Sequence, residues 1–308
     1  MSRAERLVVV LGPTASGKSA LGISLAGQLG GEVLVCDSTQ VYRHFDIGTA
    51  KVLGAGQKGI AHHLFDLVEP EEVFTAGEYR SRALAALDDL RRREKTPVIT
   101  AGTGLYLRAL LEGLAEAPAR SEELRERLRS RARVRGAEYL HKVLARLDFE
   151  AASRIAAGDT QKVIRAIEMR VLTGRSVGEI HRAGRQALEG YRVIKIGLLP
   201  PRPDLYARIE ARVRAMLGAG WLGEVEDLVA LGIAPDAKPF QFIGYGELRE
   251  HLRGELSLDE AIGMIQQATR NFAKRQITWF RREPGVNWLV GFGDDPEIAS
   301  AALDLARS

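Results

Sequence analysis

Cysteine is almost absent from this sequence. Cys36 stands alone, which excludes an internal disulfide and a cysteine-rich zinc site and suits a reducing cytosol. No apolar run is long enough to span a membrane. The first apolar run ends at once in a glycine loop, so no secretory signal is expected. Internal repeats and low-complexity tails are also missing. So is any large excess of one charge: 44 basic residues face 40 acidic ones, a formal balance of +4. An anionic partner must therefore be sought in the local distribution of charge. What remains is 308 residues of ordinary globular composition, enough for a substantial core and for two domains.

The strongest local signal is Gly12, Pro13, Thr14, Ala15, Ser16, Gly17, Lys18 and Ser19. It fits the phosphate-loop pattern of glycine, four residues, then Gly-Lys-Ser/Thr. Its context fits too. Leu7 to Leu11 reads as a buried strand, and Ala20, Leu21, Ile23, Leu25, Ala26 and Leu29 recur at helical spacing before Gly30-Gly31. Strand, glycine loop and helix N-terminus make an anion site, with backbone N–H groups and the helix dipole directed at phosphate oxygens. Lys18 is placed to reach terminal phosphates and Ser19 to help hold magnesium. The pattern shows that a di- or triphosphate binds, and leaves the reaction open.

Two more apolar runs end in polar turns. Val33 to Cys36 stops at Asp37-Ser38-Thr39-Gln40, and Pro97 to Ala101 stops at Gly102-Thr103-Gly104. Residues past the carboxyl ends of parallel strands line the crevice where α/β proteins bind ligands, so the three ends are expected to share one crevice. Asp37 is open to three roles there: magnesium ligand, general base, or cap of the next turn. Thr103 orients a substrate or caps a helix. His62-His63 invites a metal reading, but adjacent side chains diverge and no cysteine is near. Phe74 to Arg93 reads as an amphipathic helix with Leu84, Leu87 and Leu90 inward. Val193 to Leu199 returns to a buried strand, and the remainder reads as mostly helical.

Composition changes between Arg120 and Arg146, where nine Lys or Arg face four Asp or Glu. We read 120–188 as an all-helical insertion with a basic face, within an α/β core of 1–119 and 189–308. Gln161, Arg165 and Glu168 fall on one side of a helix by spacing. A local positive excess favours a polyanion such as RNA. Arg208, Arg212 and Met216 share a helix around Ile209, Val213 and Leu217. Thr269 to Arg282 interleaves five cations with Phe272, Trp279 and Phe280, which suits a nucleic-acid groove or, for the aromatics, a core.

These segments together resemble the bacterial tRNA dimethylallyltransferase (tRNA isopentenyltransferase) family. The matching stretches are GPTASGKS (12–19), DSTQVYRHFDIGTAK (37–51), HHLFDLVEP (62–70), AGTGLYLRALLEGL (101–114), DTQKVIRAIE (159–168), FIGYGEL (242–248) and TRNFAKRQITWFRR (269–282). Ala101 stands where that family usually has glycine, and the zinc finger of its eukaryotic relatives has no counterpart. The resemblance implies a P-loop NTPase-like parallel sheet flanked by helices, with a helical insertion gripping the anticodon stem-loop. It implies transfer of the dimethylallyl group from dimethylallyl diphosphate to N6 of adenosine 37 in tRNAs reading codons that begin with U. Magnesium is the implied cofactor, and we expect a cytoplasmic monomer. The family's general base maps onto Asp37. Lys18, Thr103 and Arg212 complete the implied catalytic set. Its tRNA contacts map onto Asp37, Ser38, Thr39, Gln40, Thr103, Arg125, Gln161, Lys162, Val163, Ile164 and Arg165.

The chemistry suits these residue types. An adenine amino group is a poor nucleophile, so the reaction needs a good leaving group and removal of the N6 proton. The target base must leave its stack to reach a crevice. Two other readings stay open: a P-loop small-molecule or nucleoside kinase using ATP, and an RNA-binding P-loop switch forming no covalent product. The kinase reading accounts for residues 1–51 but not for the basic insertion or the cationic-aromatic segment 269–282.

Overall fold

A computed structural model describes residues 5–115, 118–182 and 186–308. The chain divides into two compact units, 1–110 with 189–308, and 111–188.

The first unit begins with β1 (Glu5–Leu11), α1 (Lys18–Gln28), β2 (Glu32–Cys36) and β3 (His62–His63). Then come α2 (Ala76–Arg92), β4 (Pro97–Ala101) and α3 (Gly104–Glu112), which leads into the second unit. There the chain forms α4 (Glu122–Arg135), α5 (Ala137–Leu147), α6 (Phe149–Arg154), α7 (Thr160–Thr173) and α8 (Val177–Arg182). It returns to the first unit with β5 (Tyr191–Leu198), α9 (Arg202–Gly218), α10 (Trp221–Ala230), α11 (Tyr245–Leu252), α12 (Leu258–Phe280), β6 (Val286–Leu289) and α13 (Pro296–Arg307). Among the described residues, no helix is long and apolar enough to cross a membrane.

The six strands form one parallel sheet in the order β3-β2-β4-β1-β5-β6. Strands buried on both faces need apolar residues at every position, which is why β1, β2 and β4 read as unbroken apolar runs. Val8, Val10, Val33, Val98, Ile194 and Ile196 pack under α1 and α13. Leu7, Val9 and Leu11 alternate to the other face and are equally buried. On α2 the inward positions are Tyr79, Ala83, Leu87 and Leu90. Leu84, expected among them, is 36% exposed, because the helix turns its inner stripe one position back. Thr75 and Glu78 start α2 with a reciprocal capping box.

The strand order sets β2, β4 and β1 side by side, so their carboxyl ends are neighbours. The two edge strands, β3 and β6, were not foreseen. The first is two residues long, and the second is only half buried.

The helical unit has its own core of Leu128, Leu140, Leu144, Ala152, Val163 and Ile167.

Candidate active site

A cavity of about 540 Å³ opens at the carboxyl ends of β1, β2 and β4. Thr14, Ala15, Gly17, Lys18 and Ser19 line it from the first strand end, Asp37, Thr39 and Gln40 from the second, and Gly102 from the third. The three polar turns expected to share one crevice do so.

The phosphate loop is held from several sides. Gly17 has φ +86°, and a Cβ there would lie 2.6 Å from Asp294 Oδ1 and 2.7 Å from Gly293 N, so only glycine fits. Gly293 N donates to Ser16 O at 2.8 Å. Arg208 makes a bidentate pair with Asp294, both contacts 2.8 Å. Ala15 has φ +62°, a left-handed conformation costly for a residue with a Cβ. Packing against Leu205, Ile209 and Ala273 keeps it there. The Ser16 hydroxyl is buried with no protein partner among the described residues.

Lys18 Nζ donates to Pro13 O at 2.7 Å. Burial pushes its pKa down from 10.5 to about 8; attraction to Asp37 opposes this and repulsion from Arg212 adds to it. Arg212 lines the same cavity, and loss of hydration, then repulsion from Arg208, lowers its pKa. With Arg275, four cations line the cavity against one carboxylate, Asp37. Part of its wall is apolar, from Ile209, Val213, Met216, Phe242 and Ile265, and Thr49, Thr100, Gln241, Thr269 and Gln276 add neutral polar groups.

Asp37 divides its two oxygens. Oδ1 accepts from Thr39 N (2.9 Å) and Thr39 Oγ1 (2.7 Å). Oδ2 occupies the space where a residue-102 Cβ would stand, at 2.5 Å, so Gly102 must lack a side chain. Ser38 N donates to Thr103 Oγ1 at 2.9 Å, and Gly102 N and Thr103 N both donate to Cys36 O at 3.0 Å. The Thr103 hydroxyl thus ties the β2 and β4 turns together. Cys36 beneath them is buried, which pushes its thiol up to about 12 and leaves no thiolate at neutral pH.

A second support holds the loop at residues 46–48. Glu224 on α10 accepts from the amides of Asp46 (2.9 Å), Ile47 (2.6 Å) and Gly48 (3.2 Å), and from the Tyr245 hydroxyl (2.7 Å). The loop so held accepts the Gln40 amide at Thr49 O, 2.9 Å.

A model of the IPP transferase family matches residues 40–283. A tRNA dimethylallyltransferase of Solibacter usitatus is 51% identical, covering 97% of both chains. The chain belongs to the IPP transferase family. A tRNA dimethylallyltransferase of Koribacter versatilis is 47% identical over 98% of both chains. Among solved structures, the full-length tRNA isopentenylpyrophosphate transferase of Bacillus halodurans superposes with a TM-score of 0.70 at 35% identity, covering 98% of each chain. A eukaryotic dimethylallyltransferase acting on tRNA gives 0.81 at 26% identity, covering 93% of this chain and 74% of that one.

In this member of the IPP transferase family, the helical unit treats the expected tRNA residues unequally. Gln161 and Lys162 are exposed at the start of α7. Val163 and Ile164 are not surface residues: their side chains are buried in the helical core, so they leave the set of contact side chains. Arg125 and Arg165 both turn inward to Glu168, which is fully buried. Arg125 donates at 2.9 and 2.7 Å, Arg165 at 2.5 Å. Glu168 therefore does not share an open face with Gln161, because the start of α4 covers it. Burial alone would raise the Glu168 pKa, but hydrogen bonds from Arg125, Arg165 and the Ser121 amide outweigh it and hold it at about 2.

His62 Nδ1 contacts Ile60 O and His63 Nε2 contacts Glu32, so the paired histidines diverge. Among the described residues, no cluster of three or more His, Cys, Asp or Glu could hold a metal. Ser19 and Asp37 are hard oxygen donors on the same cavity, a set that fits magnesium if phosphate oxygens supply the remaining ligands.

The reading from sequence missed Gln276. Its Oε1 accepts from Thr14 N at 2.7 Å and its Nε2 donates to Gly102 O at 2.9 Å. Its signal was a polar residue on the buried stripe of α12, between Ala273 and Phe280.

Proposed function

We propose that this chain transfers the dimethylallyl group of dimethylallyl diphosphate to N6 of adenosine 37 in tRNA. The observation that carries this is the Asp37 carboxylate, one oxygen anchored by Thr39 and the other beside Gly102, on a cavity that it shares with Lys18, Arg208, Arg212, Arg275 and a stretch of apolar wall. The apolar stretch of wall suits a five-carbon chain, and the relatives at 51% and 47% identity, both named tRNA dimethylallyltransferases, favour this reading over a kinase.

Lys18 and the loop amides hold the diphosphate, with Arg212 on the same cavity as a further cation. As the N6–C bond forms, the C–O bond to diphosphate breaks and its electron pair leaves with the diphosphate. The N6 proton passes to Asp37 Oδ2, whose partner oxygen stays anchored by Thr39. Lys18 and Arg212 stabilise the charge that grows on the departing oxygens. Ser19 would help hold magnesium, which would supply further charge neutralisation to a diphosphate when bound. Gln40, with its amide nitrogen committed to Thr49 O, presents Oε1 as an acceptor beside the base. The helical unit offers exposed cations such as Lys162 to the tRNA backbone.

Incubation with tRNA and labelled dimethylallyl diphosphate, or in parallel labelled ATP, is the test. Label retained on tRNA from the prenyl donor alone is expected. Label from ATP on any acceptor, or none from either donor, overturns the reading.

A further inference from the structure

Gln276 is 6% exposed, and a buried amide is costly unless its donor and acceptor are both engaged. Both are engaged, and each contact is to main chain rather than to another side chain. The two partners belong to neighbouring strand ends. β1 and β4 pair in register up to Leu11 and Ala101, and there the ladder stops. Thr14 and Gly102 lie just beyond, where the two loops part around the cavity. A glutamine amide has the donor and acceptor of a peptide group, so Gln276 continues the pairing past the point where backbone can supply it.

What it joins gives this bond its consequence. Thr14 belongs to the phosphate loop, and Gly102 is the residue whose missing side chain makes room for Asp37 Oδ2. We propose that Gln276 is a positioning residue that sets the spacing between the diphosphate cradle and the Asp37 carboxylate. This rests on the function proposed above. In-line displacement demands that leaving group, allylic carbon and accepting base keep a narrow geometry, and a misplacement of about 1 Å can cost roughly a hundredfold.

The side chain's chemistry is specific. Methionine fills the volume without either bond. Glutamate accepts from Thr14 N but sets a charged oxygen against Gly102 O and near Asp37. Protonated glutamate regains one donor and one acceptor.

Wild-type protein is assayed first for label transfer from dimethylallyl diphosphate to tRNA. Its failure removes the function and is distinguishable from a defect confined to the variants. With an active wild type, single-turnover rates per titrated active site are measured for Gln276→Met and Gln276→Glu. We expect a fall of about 10- to 100-fold in rate, with KM for donor and tRNA within about threefold. The ratio of the Gln276→Glu rate to wild type should rise as pH falls from about 8 to about 5.5, because burial and Asp37 favour the protonated acid. Asp37, Lys18, Arg208, Arg212 and Arg275 line the cavity in every variant, so a pH dependence seen in Gln276→Glu and absent from Gln276→Met comes from the carboxylate at 276. For Gln276→Met the ratio should stay flat. A Gln276→Met rate equal to wild type per active site overturns the proposal. So does a loss that appears only as fewer active sites and a lower Tm. If the methionine variant does not fold, the pH ratio of Gln276→Glu decides alone, and a flat ratio overturns it.

Discussion

Lys18 should make donor affinity depend on pH in a narrow alkaline window. Its pKa lies near 8 because burial outweighs the pull of Asp37, and Arg212 adds repulsion. A diphosphate beside Nζ favours the protonated form, so above pH 8 binding must take up a proton. Affinity should then fall about tenfold between about pH 7 and about pH 9, or about 1.4 kcal/mol. Stability runs the opposite way. The folded pKa lies below the unfolded value of 10.5, so the unfolded chain binds more protons between pH 8 and 10.5. The protein without donor therefore gains stability as pH rises through that window, by about 1–3 kcal/mol once partial solvent access is allowed for. Calorimetric titration with dimethylallyl diphosphate at constant magnesium reads the first effect, and denaturant melts read the second. Lys18→Arg keeps its proton throughout and should show neither. A wild-type affinity flat across that range, or an equal slope in Lys18→Arg, would refute the reasoning.

Asp37→Asn should still bind donor and tRNA while single-turnover transfer falls by roughly 10²–10⁴-fold, the usual range for losing a general base; near-normal turnover removes Asp37 from the mechanism. Gly102→Ala places a Cβ 2.5 Å from Asp37 Oδ2 and should lower kcat with donor affinity little changed, read by rate and calorimetry on one variant. Lys162→Ala should reduce the salt slope of tRNA binding by about 0.7–0.9, if the exposed Lys162 exchanges its surface partner Asp159 for a phosphate, and should shift the Tm little because an exposed ion pair contributes only about 0–1 kcal/mol. Glu168→Gln should destabilise the protein by about 3–5 kcal/mol at neutral pH by leaving Arg125 and Arg165 over an uncharged buried group. The Glu168 pKa is depressed, so its stabilisation is present above about pH 4.5 and is lost as pH falls toward about 2.

Four of the six strands were legible because burial on both faces forces continuous apolar runs. β3 and β6 were not, since two residues carry no period and Val286–Leu289 lies half exposed at an edge. Convergence of the strand ends was legible from topology: Asp37 and Gly102 each come just after an apolar run, and parallel order does the rest. Helical spacing was a poorer guide in the insertion. It put Gln161 and Glu168 on one side, but which helix packs over each is a tertiary matter. The start of α4 covers Glu168, and Gln161 remains outside. Val163 and Ile164 were carried along with their polar neighbours, although apolar residues within a helix ordinarily face its core. Gln276 escaped notice because cations and aromatics dominate its segment, and its partners are main-chain atoms 262 and 174 residues away.

The contact of Gly293 and Asp294 with the phosphate loop also bears on how the protein is made. The backing of residues 12–19 comes from a turn synthesised some 275 residues after them. Chains fold from the N-terminal side during synthesis, but loop closure over such a separation waits for the later segment. The anion cradle is therefore finished late, after the sheet's central pairs can form. A chain lacking that turn has no completed anion cradle, so a phosphate ligand cannot rescue early folding. It can only stabilise molecules that have already docked the 291–295 turn.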